Sequence, residues 1–388
     1  MDKGIEDKVK KQMLKYEELL SKYATRNDES IKFRKDSPCI RTAFARDIDK
    51  IVHSASYTRY MGKTQVYSLL DVDNISKRST HVQFVSRTSR TIAKALGLNE
   101  ELCEAISLGH DIGHVPFGHI GERILNKISL EKTGQIFAHN VQSVRTLMDI
   151  ENNGQGINLS LQVLDGIMCH NGEFLSNIYK PVNKTKEDFL KEYNSLYEDE
   201  ENITRLKPMT LEGCIVRLSD IIAYVGKDIE DAESIKAFSK DKIDKEIVDI
   251  VGNTNSDIMN NIILDVIENS FNKPYIAMSE KMYNTLNKLK KFNYDNIYLL
   301  ANTNKDIELY TDMFSKLFDV YLKAVEENNI ENDIIKLFLS SMNKEYLENT
   351  SNERKVIDYI AGMTDKYMQL QYVKYVKQMK MGEMRNNV

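Results

Sequence analysis

Apolar residues along this chain recur every three or four positions far more often than every two, which is the period of one face of an α-helix. "DIMNNIILDVIENSF" and "NDIIKLFLSSM" carry that spacing in the second half. No stretch shows the strict alternation of a strand, and only five prolines and seventeen glycines interrupt 388 residues. The pattern predicts an all-α fold. In "LNEELCEAISLGHDIGH", Asn99 precedes Glu100 and Glu101, a capping residue followed by acids at the positive end of a helix. A helix is therefore expected to start there, with Leu102, Cys103 and Ile106 on its buried stripe. Pro116 marks the expected break before a second helix from about Gly118.

The charged run "NKTKEDFLKEYNSLYEDEENITR", from Asn183 to Arg205, interrupts the pattern and reads as an exposed insertion or a flexible helical excursion. The expected organisation is an N-terminal helical segment over 1–39, a catalytic core over 40–237 and a C-terminal helical region over 238–388 that completes the same globule. Hydrophobic residues at 41% and charged residues at 29% fit an ordinary soluble protein. The net charge of −5 provides no electrostatic case for a nucleic-acid polymer or an anionic membrane. Four dispersed cysteines without a C-x-x-C pair read as reduced thiols. With no signal-like or bilayer-spanning run, a cytoplasmic location is expected.

Chemistry concentrates in the first half, because all seven histidines precede residue 171. Three of them, His110, His114 and His119, fall in "SLGHDIGHVPFGHIGER" beside Asp111. His110 and Asp111 are read as neighbours on one helix, able to reach a common point. An imidazole with a carboxylate suits a borderline or hard divalent metal. His81 and Asp220, each a polar residue in a partly apolar helical stretch, are candidate partners; spacing alone leaves open a satisfied core histidine and a capping or salt-bridged aspartate. "GKT" at Gly62–Thr64 is not a P-loop, because Tyr57 stands where its first glycine belongs. H-E-x-x-H, G-x-S-x-G and G-x-G-x-x-G are all absent from the sequence.

The blocks "RTAFARDIDKIVHSASYTRYMGKTQV", "RSTHVQFVSRT", "LGHDIGHVPFGHIGERIL", "FAHNVQSVRTL", "RLSDIIAYVGKDIEDA" and "DYIAGMTDKY" occur in this order from about residue 40 to residue 367. Together they resemble the HD-domain deoxynucleoside triphosphate triphosphohydrolases, the dGTPase-like proteins. The resemblance implies an all-α HD-domain core and one divalent ion, Mg²⁺ or Mn²⁺, held by His81, His110, Asp111 and Asp220. It implies attack of water on the α-phosphorus of a deoxynucleoside triphosphate, releasing a deoxynucleoside and intact triphosphate. His114, His119, Glu122 and His139 match the family's catalytic cluster, with His119 as proton donor or phosphate contact. The alternative is that His114 and His119 only bind triphosphate or cap the broken helix. Arg78 matches a phosphate contact, Tyr224 a residue packing on the deoxyribose, Asp228 an acceptor for its 3′-hydroxyl, and Gln65 a nucleoside contact. Lys227 departs from the pattern, where many relatives carry histidine, and is expected to add a phosphate contact or shift substrate preference. The resemblance also implies a homo-oligomer and an activating nucleotide. A different nucleotide phosphoester, or a nucleotide-sensing module with little turnover, remains the alternative.

Overall fold

The protein was analysed as a computed structural model, which describes residues 3–67, 76–171, 174–299 and 301–377. Helices follow one another from Lys3–Leu14 to Asp365–Tyr372, as the apolar spacing predicts. No described helix is long and apolar enough to cross a membrane. Among the described residues the strands are two short segments, Ile178–Tyr179 and Ile276–Ala277, paired antiparallel with Ile178 opposite Ala277 and Tyr179 opposite Ile276. Two residues are too few to show alternation, so this ribbon leaves no trace in the sequence pattern.

The centre of the molecule is a bundle of three helices, Arg78–Leu96, Glu100–Gly109 and Leu211–Val225, flanked by Ala43–Val52 and Leu161–Met168. The first helix stops where Gly97 adopts φ +68°, a left-handed conformation that suits a residue without Cβ. The second starts as expected: the Asn99 side chain accepts from the backbone N–H groups of Glu101 and Leu102, satisfying two otherwise orphaned donors. The third is buried at every position except Asp220 and Tyr224. A helix apolar nearly all round belongs in the interior, and its two openings are candidate site residues four positions apart.

His110 and Asp111 do not continue the second helix as the sequence reading expected. His110 caps it and Asp111 lies in the turn that follows. The turn rests on the helix His139–Arg145, where Ser143 Oγ donates to the His110 carbonyl at 2.6 Å and accepts from Gly113 N at 2.8 Å. A Cβ on Gly113 would lie 2.2 Å from Ser143 N and 2.3 Å from the His139 carbonyl oxygen, so only glycine permits this approach. After Pro116, Phe117 and Gly118 both take positive φ, 62° and 57°, and the helix Gly118–Thr133 begins where predicted.

A second apolar cluster joins this helix to the C-terminal helices Asn304–Glu326, Asn352–Ala361 and Asp365–Tyr372. Phe117 stacks on Tyr310 with centroids 4.1 Å apart. Asp365 accepts from Phe117 N at 3.0 Å and from Thr64 N at 3.1 Å. The buried Lys63 ammonium donates to the carbonyls of His114 and Ala361. Arg145 and Asp358 form a two-pronged pair at 2.9 and 2.7 Å. The charged run 183–205 is better anchored than expected: it forms helices Lys186–Ser195 and Glu200–Thr204, and Phe189, Tyr193 and Leu196 are buried in the main core.

Two stability measurements follow from this packing. Gly113→Ala should destabilise the protein by roughly 3 kcal/mol in urea denaturation, the upper end of overpacking costs, because backbone rather than side chain receives the methyl. Burial alone would raise the Asp358 pKa, but Arg145 and Arg354 override it and hold the carboxyl below its ordinary 3.8. Its contribution is therefore complete above 3.8 and is lost as pH falls through the lower folded value. Asp358→Asn should cost about 3–5 kcal/mol at neutral pH by removing the buried carboxylate charge opposite Arg145 and Arg354, and should flatten that acid-side loss.

Candidate active site

The helix Arg78–Leu96 carries His81 one turn from its start, the capping turn carries His110 and Asp111, and the central helix carries Asp220. Their side chains converge. His81 Nε2 lies 2.9 Å from Asp220 Oδ1, and His110 Nε2 lies 3.4 Å from Asp111 Oδ1 and 3.8 Å from Asp220 Oδ1. One ligand atom from each of His81, His110 and Asp111 fits within a 4.8 Å set. His110 Nδ1 faces the Ser107 carbonyl at 2.7 Å. A carbonyl only accepts, so Nδ1 carries a proton, and Nε2 points into the cluster, buried and without a hydrogen bond. An orphaned imidazole nitrogen among two carboxylates and a second imidazole is a donor set that could hold a divalent metal.

Electrostatics keep these carboxylates ionised. Burial would raise Asp111, yet His110, His114 and Arg78 hold it well below the usual carboxylate range. Asp220 is likewise lowered, burial being outweighed by the hydrogen bond from His81. Burial would lower His81, and its bond to Asp220 raises it instead.

The second group lies beyond Asp111. His114 Nε2 approaches Asp111 Oδ1 at 3.4 Å, and its ring stacks on His139 at 3.9 Å between centroids. Burial and the nearby Arg78 charge push His114 well below its usual value. Glu122 Oε1 accepts from the His139 backbone N–H at 2.6 Å and lies 2.8 Å from its Nδ1. His119 stands one helical turn before Glu122, its Nδ1 3.6 Å from Glu122 Oε2, with 60% of its side chain exposed. Burial opposes ionisation of Glu122, but His139 and His119 hold the carboxylate well below its ordinary value.

Two participants escaped the sequence reading. His170 has its Nδ1 2.6 Å from the Ile167 carbonyl and its Nε2 3.0 Å from His139 Nε2. The first contact fixes the His170 proton on Nδ1, so its Nε2 accepts, and His139 must donate from Nε2 as well as towards Glu122 from Nδ1. His139 is then an imidazolium. Burial lowers His139 but Glu122 raises it to about 9, whereas burial and the His110 imidazole drop His170 to about 3. The only signal available was that His170 is the last of the clustered histidines. Tyr298 is the other: its hydroxyl donates to Asp228 Oδ2 at 2.6 Å. The remaining histidine, His53, is exposed and bonds the Asp49 carbonyl.

Arg78, 1% exposed, reaches Asp111 Oδ2 at 2.5 Å through Nη1. Its Nε and Nη2 are buried without hydrogen bonds, leaving donors for an incoming anion. Gln65 Oε1 is also buried without a partner; the Gln65 backbone carbonyl oxygen and Arg78 Nη2 both flank Gly118, 3.2 and 3.7 Å from where a Cβ would sit. Asp228 begins the helix Lys227–Ser234 just past the central one, and burial pushes it up to about 7. Lys227 Nζ is engaged by Asp231 at 2.9 Å and Glu230 at 3.3 Å on its own helix.

This all-α fold and its histidine–aspartate centre define the class. Residues 78–225, which include all four candidate metal ligands, match the HD domain, and residues 276–374 match the phosphohydrolase-associated domain. The chain is 37% identical over 359 residues to the deoxyguanosinetriphosphate triphosphohydrolase-like protein of Caldanaerobacter subterraneus, covering 91% of each. It is 34% identical to a protein of the same description in Clostridium perfringens, over 93% of this chain and 95% of that one. A third, from Desulfatibacillum aliphaticivorans, is 33% identical over 88% and 90%. The chain belongs to the deoxyguanosinetriphosphate triphosphohydrolase-like family.

The proton assignment is testable in metal-free protein by ¹⁵N NMR of the imidazoles. His139 should remain doubly protonated at neutral pH and lose that proton near pH 9, while His170 should stay neutral with its proton on Nδ1 down to about pH 3. A neutral His139 at pH 7 would contradict the hydrogen-bond assignment.

Proposed function

We propose that this protein hydrolyses deoxynucleoside triphosphates to a deoxynucleoside and inorganic triphosphate, in a reaction that requires a divalent metal. The observation that carries the reading is Asp111. Its Oδ1 lies 3.4 Å from the Nε2 of both His110 and His114 and its Oδ2 3.9 Å from His81 Nε2, so that the metal-ligand cluster and the acid–base cluster meet on one carboxylate. The names of the relatives supply the substrate class.

His81, His110, Asp111 and Asp220 would hold the ion, which when bound supplies Lewis-acid polarisation of a phosphate oxygen and an acidic water. The remaining chemistry belongs to the chain. Arg78 presents its unpartnered N–H groups to the phosphates, a fork that matches two phosphate oxygens. His114 lies beside Asp111 with a buried, unpartnered Nδ1 facing the same region and contacts the triphosphate. Water forms the new bond to the α-phosphorus as the bond to the 5′-oxygen breaks. That oxygen leaves as a hydroxyl only if it gains a proton, and His119 is the donor, oriented by Glu122. The Glu122–His139 pair balances charge behind it.

On the nucleoside side, Tyr224 packs against the deoxyribose and Asp228 accepts from its 3′-hydroxyl. Tyr298 occupies the second oxygen of Asp228 and so aims the first at the sugar. A sugar seated between Tyr224 and Asp228 has little room for a 2′-hydroxyl, which favours deoxyribonucleotides. Gln65 contributes a nucleoside contact.

The deciding assay offers each deoxynucleoside triphosphate and GTP, singly and mixed, with Mg²⁺ or Mn²⁺, and resolves the products by chromatography. Deoxynucleoside and intact triphosphate are expected, abolished by Asp111→Ala. His119→Ala should lower kcat by about 10²–10⁴-fold, the usual worth of general acid–base catalysis. Asp228→Ala should raise KM by roughly 10- to 150-fold, the loss of one hydrogen bond to a charged group. A monophosphate product, or no triphosphate from any mixture, would sink the assignment in favour of another phosphoester or of nucleotide sensing.

A further inference from the structure

We infer that Asn293 is a positioning residue for the sugar side of the site, acting through Tyr298 to aim Asp228 and so setting the preference for deoxyribose over ribose. The inference rests on the reading of Asp228 as acceptor for the 3′-hydroxyl, and it names the device that orients that carboxylate.

A chain of hydrogen bonds with a single direction carries the argument. Asn293 is fully buried, and its Nδ2 donates to the Val225 carbonyl at 2.8 Å. A carbonyl only accepts, so the amide nitrogen must face it and the orientation of the side chain is fixed. The Asn293 amide also hydrogen-bonds the Tyr298 hydroxyl, in the sense that favours charge on that oxygen, so the amide is the donor there as well. Tyr298 then passes its own proton to Asp228 Oδ2 as a hydrogen bond of 2.6 Å. Burial raises the Tyr298 hydroxyl well above its ordinary 10 and the Asp228 charge adds to that. The phenol therefore keeps the proton it donates.

The backbone is wound to bring the two residues together. Asn293 ends the helix Glu280–Asn293, and the turn that follows, Tyr294–Tyr298, is a π-turn. Residues five apart on an α-helix stand about 140° from one another, whereas the wider π-turn returns them to one face. On the other side, Val225 closes the central helix and Asp228 lies in the first turn of the next. Asn293 thus holds both ends of that step, the backbone at Val225 and, through Tyr298, the side chain at Asp228. Gly226 lies within the step, and Asn255 Oδ1 stands 2.4 Å from where a Cβ would sit, which closes off that side of the junction.

Asn293 Oδ1, by contrast, is buried without a partner. An unpaired buried acceptor costs stability, so packing alone gives no reason for an amide here. What its nitrogen does gives one. With Oδ2 held by Tyr298, Asp228 presents its other oxygen to one hydroxyl; released, the carboxylate can turn and accept from a 2′-hydroxyl as readily as from a 3′-hydroxyl.

The test is steady-state kinetics of the full-length protein on dGTP and GTP with Mn²⁺. Wild type is compared with Asn293→Leu, Tyr298→Phe, the double variant and Asp228→Ala, each checked for fold by circular dichroism. Asn293→Leu should raise the KM for dGTP by roughly 3- to 10-fold, the net worth of one hydrogen bond, with kcat little changed. The kcat/KM preference for dGTP over GTP should fall by a similar factor. Tyr298→Phe should do the same, and the double variant should add nothing further, because both residues act through one hydroxyl. Should Asn293→Leu fail to fold, Asn293→Ala removes the amide without adding bulk and carries the same expectation. Additive losses in the double variant, or a wild-type KM in Tyr298→Phe, would overturn the inference while a raised KM in Asp228→Ala left the sugar-side reading standing. A wild-type KM in Asp228→Ala would overturn that reading and this inference with it.

Discussion

A carboxylate with almost no access to water, kept ionised by its neighbours, is the constraint around which this molecule is arranged. Asp111 is 3% exposed, and isolated burial of such a charge would be prohibitive. The guanidinium of Arg78 and a ring of imidazoles make it tolerable. They come from three parts of the chain: the start of one helix, the capping turn that bears Asp111 itself, and the residues just past Leu161–Met168. The bundle around them has to bring three separate segments to one atom pair. That demand accounts for a polar cluster at the centre of an otherwise apolar interior.

The turn that bears Asp111 is costly to form, since Phe117 adopts a left-handed backbone that a bulky residue rarely takes. Such conformations persist where the surroundings over-determine them. Here those surroundings include the C-terminal half. Tyr310 covers the Phe117 ring, Asp365 takes its N–H, and Lys63 ties the His114 carbonyl to that of Ala361. The segment that matches the phosphohydrolase-associated domain is thus a brace for the turn that bears Asp111, besides contributing Tyr298, which donates to Asp228.

Much of this was legible in the amino-acid order because the relevant signals are local. Asn99 announces its helix by capping, Pro116 its break, and the three-four spacing the helical class. The histidine–aspartate blocks are contiguous and named the family. What escaped depends on distance. His170 and Tyr298 carry no motif of their own and acquire meaning only from what lies opposite, His139 and Asp228. The ion pairs of Lys227 were not legible, because Asp231 and Glu230, one turn ahead, become its partners only once the helix is formed. The placement of His110 beyond its helix rather than within it was hidden because apolar periodicity runs straight through the residues of the turn. The charged run at 183–205 misled because composition dominated, while Phe189, Tyr193 and Leu196 kept a buried stripe.

The central helix, closed to solvent everywhere but Asp220 and Tyr224, makes the site intolerant of changes in chain length. Removing one residue between Leu211 and Ser219 would turn everything beyond it by about 100°, swinging both side chains into the hydrophobic interior and delivering Ile221 and Val225 in their place. Lineages of this protein can therefore vary the loops on either side of that rod, but they must keep its count.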